Sequence, residues 1–230
     1  MLEIELQGYL DKVNLNVQNI QKLKALISPH TGLKYCGAVQ AYSYKYINPQ
    51  NIQRIFLLGP SHRIFIQGCG LSSMDFFETP FGNIEIDVEI INELYKNQKD
   101  YFVKLDQETE QNEHSLELQL PMLKKQMGDK QFILIPIMVG QTNQELDVQY
   151  GKIFSKYFDD DSTLFIISSD FCHWGQIEFQ NYLNSTKNTI CGRRGINILL
   201  NNNIKDNLEQ QIYELIENLI YLLCVKQKSH

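Results

Sequence analysis

The chain has 230 residues, 43% of them apolar and 11% aromatic, enough core-forming material for one sizeable globular domain spanning residues 1–230. A formal charge of −6, spread over mixed acids and bases with no basic cluster, excludes the electrostatic footprint expected of a nucleic-acid binder or of a protein held on an anionic membrane. The amino terminus carries acids where a signal peptide carries positive charge, no apolar stretch is long enough to insert in a membrane, and the five cysteines are odd in number and widely spaced, so a reduced, cytoplasmic protein is expected, with the nucleus as a further compartment.

In chain order, residues 24–27, 54–58, 131–139 and 163–168 are short runs of Ile, Leu, Val and Phe, the composition of strands buried on both faces. Between them, residues 38–46, 88–97, 115–127 and 146–158 place apolar side chains three or four apart, as amphipathic helices do. Asn112 is the expected N-cap of the third helix, and Pro121 is expected to bend it. Residues 79–87 pair a turn signal with an alternating run and predict a small antiparallel excursion. From Asp206 to Val225 an apolar stripe predicts a packed helix. The alternation of strands and helices specifies an α/β fold with a mostly parallel central sheet flanked by helices, because parallel neighbours need crossover connections.

Open α/β sheets bind ligands beyond the carboxyl ends of their strands. That is where this chain gathers its reactive side chains: His30 follows the first strand in Ser28-Pro-His, His62 the second in Gly59-Pro-Ser-His, and Asp170 and His173 the last in Ser168-Ser-Asp-Phe-Cys-His-Trp-Gly. Two histidines delivered by two parallel strands can converge on one metal ion, neutral imidazole being a common ligand. Each residue also has a plainer reading. Either histidine alone is a turn residue, Asp170 a turn cap, and His173 a packing neighbour of Trp174. Cys191, in Thr189-Ile-Cys-Gly-Arg, reads as structural, like Cys69, Cys172 and Cys224; Tyr35 and Cys36 read as loop packing; and His114 is either surface decoration or a group supporting the site.

The ordered set SPHxGxxYCG, RIFLLGPSH, EHSxExxLP, IPIMVG, SSDFCHWG and TICGR resembles the Memo family over about residues 24–200. That family is similar in fold to the class III extradiol dioxygenases, non-haem iron enzymes. The resemblance implies metal ligation by His30, His62 and a thiolate from Cys191. It also implies a pocket lined by Asp170 and His173, with Tyr35 at its mouth. Departures from the family accompany it. An amino-terminal family segment has no counterpart, and Thr31, Leu33 and Lys34 alter the SPH loop. The passage between Gln176 and Asn188 is short, which is expected to strain the path of Cys191 to the histidines. The terminal family strand gives way to the apolar stretch after Asp206.

Two functions follow from the resemblance. One is a copper or iron site, with zinc ranked lower, acting in redox signalling linked to cell motility and the cytoskeleton; if catalytic, it is a metal-dependent oxidase or dioxygenase-like enzyme acting on dioxygen or a small molecule. Sulfur in place of a carboxylate favours copper(I) or zinc over ferrous iron without excluding iron. Asp170 and His173 are then expected to orient the site and to give or take protons. The other is a non-enzymatic adaptor that binds phosphotyrosine-type peptides in the same pocket, using its histidines and Tyr35.

Overall fold

Four strands rich in branched and aromatic residues set the centre of the molecule, in a computed structural model that describes residues 1–14, 23–170 and 190–201. They are β1 (Ala25–Ser28), β2 (Arg54–Pro60), β7 (Ile133–Val139) and β8 (Thr163–Ser168). Parallel pairing orders them β1-β8-β2-β7, with Phe56 opposite Phe165 on one side and Ile135 on the other. Short strands extend the sheet beyond β7. β3 (Cys69–Leu71) runs antiparallel to its Ile137–Val139 end, β5 (Ile84–Ile86) parallel to Ile133 and Leu134, and β6 (Phe102–Lys104) parallel to β3. Pro136, which has no N–H to donate, falls between the stretches paired with β5 and β3. The expected antiparallel excursion is the pairing of β4 (Phe76–Phe77) with β5.

Side chains alternate across these strands and build two cores. Phe56, Leu58, Ile135, Ile137, Phe165 and Ile167 face one way. They are covered by α3 (Val88–Asn97), α7 (Gln144–Phe158) and α8 (Arg193–Leu200), and Phe56 stacks on Phe165 at 4.7 Å between ring centres. Ile55, Leu57, Leu134, Leu164 and Ile166 face the other way, under α1 (Leu2–Asp11), α2 (Leu33–Lys45) and α6 (Leu120–Met127). Both faces are thus dry, which is why the strands read as continuous apolar runs.

Three local expectations change. The third helix is two helices, α5 (His114–Glu117) and α6, and Pro121 sits in the first turn of α6, where a missing N–H breaks no helical bond. Asn112 ends a short helix, α4 (Gln107–Gln111), with its side chain donating to the Glu108 carbonyl at 2.8 Å; Glu113 caps α5 instead. Helix α2 starts at Leu33 rather than at residue 38, so Tyr35 and Cys36 are helical. His173, Trp174, Cys172, Cys224 and the apolar stretch after Asp206 lie outside the described residues. Among the described residues no helix is long and apolar enough to cross a membrane.

Candidate metal centre

The parallel strands β1, β2 and β8 end on one edge of the sheet, so the residues just beyond them share one place. His30, His62 and Cys191 each put a donor atom within 4.8 Å of the other two. The rings of His30 and His62 are 5.1 Å apart, edge to face.

His30 is 1% exposed, and its two nitrogens have different surroundings. Nδ1 lies 2.7 Å from Ser168 Oγ. The single hydroxyl hydrogen of Ser168 goes to the Ser115 carbonyl at 2.5 Å, and Gln119 Nε2 donates to Ser168 Oγ at 3.0 Å. Ser168 can therefore only accept from His30, which fixes the proton on Nδ1 and leaves the lone pair on Nε2. Nε2 is buried and has no hydrogen-bond partner among the described residues. Burial, reinforced by the neighbouring His62 and His114, depresses the pKa of His30 to about 4 against the opposing pull of Asp170, so the ring is neutral at physiological pH.

His62 is built to the same plan with a stronger partner. Glu113, only 1% exposed, accepts its backbone N–H at 2.6 Å and its Nδ1–H at 2.8 Å, and also takes the Ser115 N–H at 2.9 Å. Burial alone would raise the pKa of Glu113, but the His62 and Ser115 hydrogen bonds outweigh it and hold the carboxyl at about 2. Nε2 of His62 meets Cys191 Sγ at 2.7 Å. That hydrogen bond, with the one to Glu113, lifts the pKa of His62 to about 10, so at neutral pH a proton occupies the gap between nitrogen and sulfur. A bound cation would displace that proton.

Cys191 arrives differently. Its N–H bonds the Asp170 carbonyl at 3.2 Å, so Cys191 is held beside Asp170, just beyond the β8 end. The passage between Gln176 and Asn188, on which strain was expected, lies outside the described residues; the sulfur itself lies with the two histidines. Cys191 is half-buried, whereas Cys36 and Cys69 are buried, with burial pushing the Cys36 thiol up to about 12.

Asp170 is 4% exposed. Its carboxylate takes the backbone N–H groups of His30 at 2.8 Å and Thr31 at 3.2 Å and the Thr31 hydroxyl at 2.6 Å, and stands 3.6 Å from His30 Nε2. Burial pushes its pKa up, but the interaction with the adjacent His30 ring and these hydrogen bonds outweigh it and hold the carboxyl below its ordinary value. His114 stacks on His62 with ring centres 4.4 Å apart, and together with Glu113 the pair forms a second set of closely spaced donors. Both Glu113 oxygens there already receive N–H groups, so the set reads as support for His62. Tyr35 is 76% exposed in the first turn of α2 and is not among the residues lining the adjoining cleft. That cleft, about 410 Å³, is lined by His62, Cys191, Ile64, Phe65, Gln141 and Arg193 among others.

Glu113, Ser168 and Gln119 complete the site and escaped sequence reasoning. The available signal was slight: a carboxylate beside His114 in a chain with two strand-end histidines needing hydrogen-bond partners.

The donor set fits a transition-metal ion: the buried, unpartnered Nε2 lone pair of His30, the Nε2 of His62 that a cation would free of its proton, and one sulfur. Residues 2–180 match the family described as Memo-like protein, a stretch that includes His30, His62, Glu113 and Asp170 and ends short of Cys191. The chain is 36% identical over 236 residues to human "Protein MEMO1", covering 87% of this chain and 78% of that protein. It is 35% identical over 237 residues to the zebrafish (Danio rerio) protein of the same name, with the same coverage, and 36% identical over 234 residues to the Caenorhabditis elegans "Protein memo-1 homolog", covering 86% of this chain and 65% of that protein. With the strand-end histidines, the buried carboxylate behind them and this extent of likeness in place, the chain belongs to the Memo family.

Proposed function

We propose that the protein binds one copper or iron ion through Nε2 of His30, Nε2 of His62 and Sγ of Cys191, and serves in redox signalling linked to cell motility and the cytoskeleton. The observation that carries the metal site is the buried, unpartnered Nε2 of His30 beside the His62–Cys191 pair. An unpaired buried polar atom costs on the order of 1–3 kcal/mol, a cost that ligation removes. When bound, such an ion supplies one-electron redox chemistry. The protein's own residues do the rest: Ser168 and Glu113 fix the two imidazole tautomers, and Asp170 pins the His30 loop by three hydrogen bonds. The cleft admits a small molecule on the side of His62 and Cys191, while His30 stays dry. In this reading Asp170 is an orienting anion, and proton transfer falls to His173 or His114.

A phosphopeptide adaptor is less well supported. Arg194 is committed to the buried Asp147 at 2.9 Å, and Glu113 sets a buried negative charge against His62. Elemental analysis after anaerobic purification tests the metal reading. The parent should hold close to one copper or iron per chain and His62→Ala a small fraction of that; zinc alone would move the site to hydrolytic chemistry, and equal metal in both proteins would discard the ligand set.

A further inference from the structure

The two histidines come from strand ends, which the sheet holds rigidly. The sulfur comes from the residue before Gly192, at the start of α8, and its position depends on how that helix is seated. At the first turn of α8 one buried group ties it down. Asp147, on α7 and 0% exposed, receives Thr142 Oγ1 at 2.6 Å on one oxygen, and Arg194 at 2.9 Å and Asn197 Nδ2 at 3.2 Å on the other. Arg194 and Asn197 are both on α8, three residues apart and therefore on one face of the helix. Nearby, Gly192 N–H bonds Ser169 Oγ at 2.9 Å.

We propose that Asp147 is a positioning residue for Cys191: it seats α8, and thereby completes or withholds the sulfur ligand of a site whose two nitrogens are fixed independently. This rests on the metal reading for its consequence, but the seating itself does not. An amide at this position can still accept from Arg194 and Asn197 and donate to the Thr142 hydroxyl, but it leaves the part-buried Arg194 cation without its counter-ion, a loss that movement of the helix toward solvent relieves. The relief falls on α8, eight residues long, rather than on α7, whose fifteen residues bury Tyr150, Phe154, Tyr157 and Phe158 in the aromatic core.

The test compares full-length parent, Asp147→Asn, Arg194→Lys and Cys191→Ser. In metal-free protein, amide hydrogen exchange of residues 190–200 should accelerate roughly tenfold or more in Asp147→Asn, with β2 and β8 unchanged, and Arg194→Lys should fall nearer the parent. Titration with cobalt(II) should give a sulfur-to-metal charge-transfer absorption in the parent that is lost in Asp147→Asn as it is in Cys191→Ser. Unchanged exchange in residues 190–200, or acceleration spread evenly through β2 and β8, overturns the proposal. If the parent takes up no cobalt, it is the ligand set that fails, and the exchange comparison alone decides the role of Asp147.

Discussion

Cys191→Ser should weaken copper(I) or iron binding by two to three orders of magnitude while the thermal transition of the metal-free chain stays near that of the parent. The size follows from dividing the metal affinity of a four-ligand structural site, about 10–16 kcal/mol, among its donors, which leaves about 2.5–4 kcal/mol for each, or on the order of 100- to 1000-fold. Serine is nearly the same shape, so the half-buried position tolerates it, but its hydroxyl is neutral and hard where the thiolate is soft. The loss should therefore be greater for copper(I) than for iron. Anaerobic competition with a chelator of known affinity measures it. A variant that competes as well as the parent means that the sulfur is no ligand.

Gly192→Ala should reach the same end through the backbone. A Cβ at this position would stand 2.5 Å from both the Ser168 carbonyl oxygen and the Ser169 Cβ, atoms anchored at the end of β8. The strand cannot yield, because Ser168 also holds His30 and Ser115. The segment bearing Cys191 must lift instead, at about 1–3 kcal/mol for overpacking of this kind. For a chain of this size that is roughly 2–4 °C of Tm for each kcal/mol. The Gly192 N–H would also lose Ser169, and the sulfur would move away from His62. The expected result is a lower Tm together with loss of the sulfur-to-cobalt absorption. Parent-like values of both would show that the contact is relieved without moving the thiol.

The parts of the fold legible in the sequence are those with long, uniform periodicity. The four central strands read correctly because both faces are buried, and α3 and α7 because their apolar stripes are regular. The short strands β3 and β6, three residues each, and α4, five residues, carry too little pattern to detect. The division of α5 from α6 falls at Leu118 and Gln119, where the Gln119 side chain reaches Ser168, a contact 49 residues away in the chain that no local signal encodes. The same holds for the site. His30 and His62 were visible because a histidine after an apolar strand is conspicuous. Ser168, Gln119 and Glu113 were not, since each is defined by what it touches across 49 to 138 residues of chain. Cys191 was reachable only through the family resemblance, because it precedes α8 rather than following a strand and meets the β8 end through contacts of Asp170 and Ser169 that no local signal encodes.

X-ray absorption at the metal K edge of anaerobically loaded parent protein tests the central claim most directly. The account predicts a first coordination shell containing one sulfur and two imidazole nitrogens, with the sulfur contribution gone in Cys191→Ser. A shell of nitrogen and oxygen alone, or a sulfur contribution that survives the substitution, would contradict it.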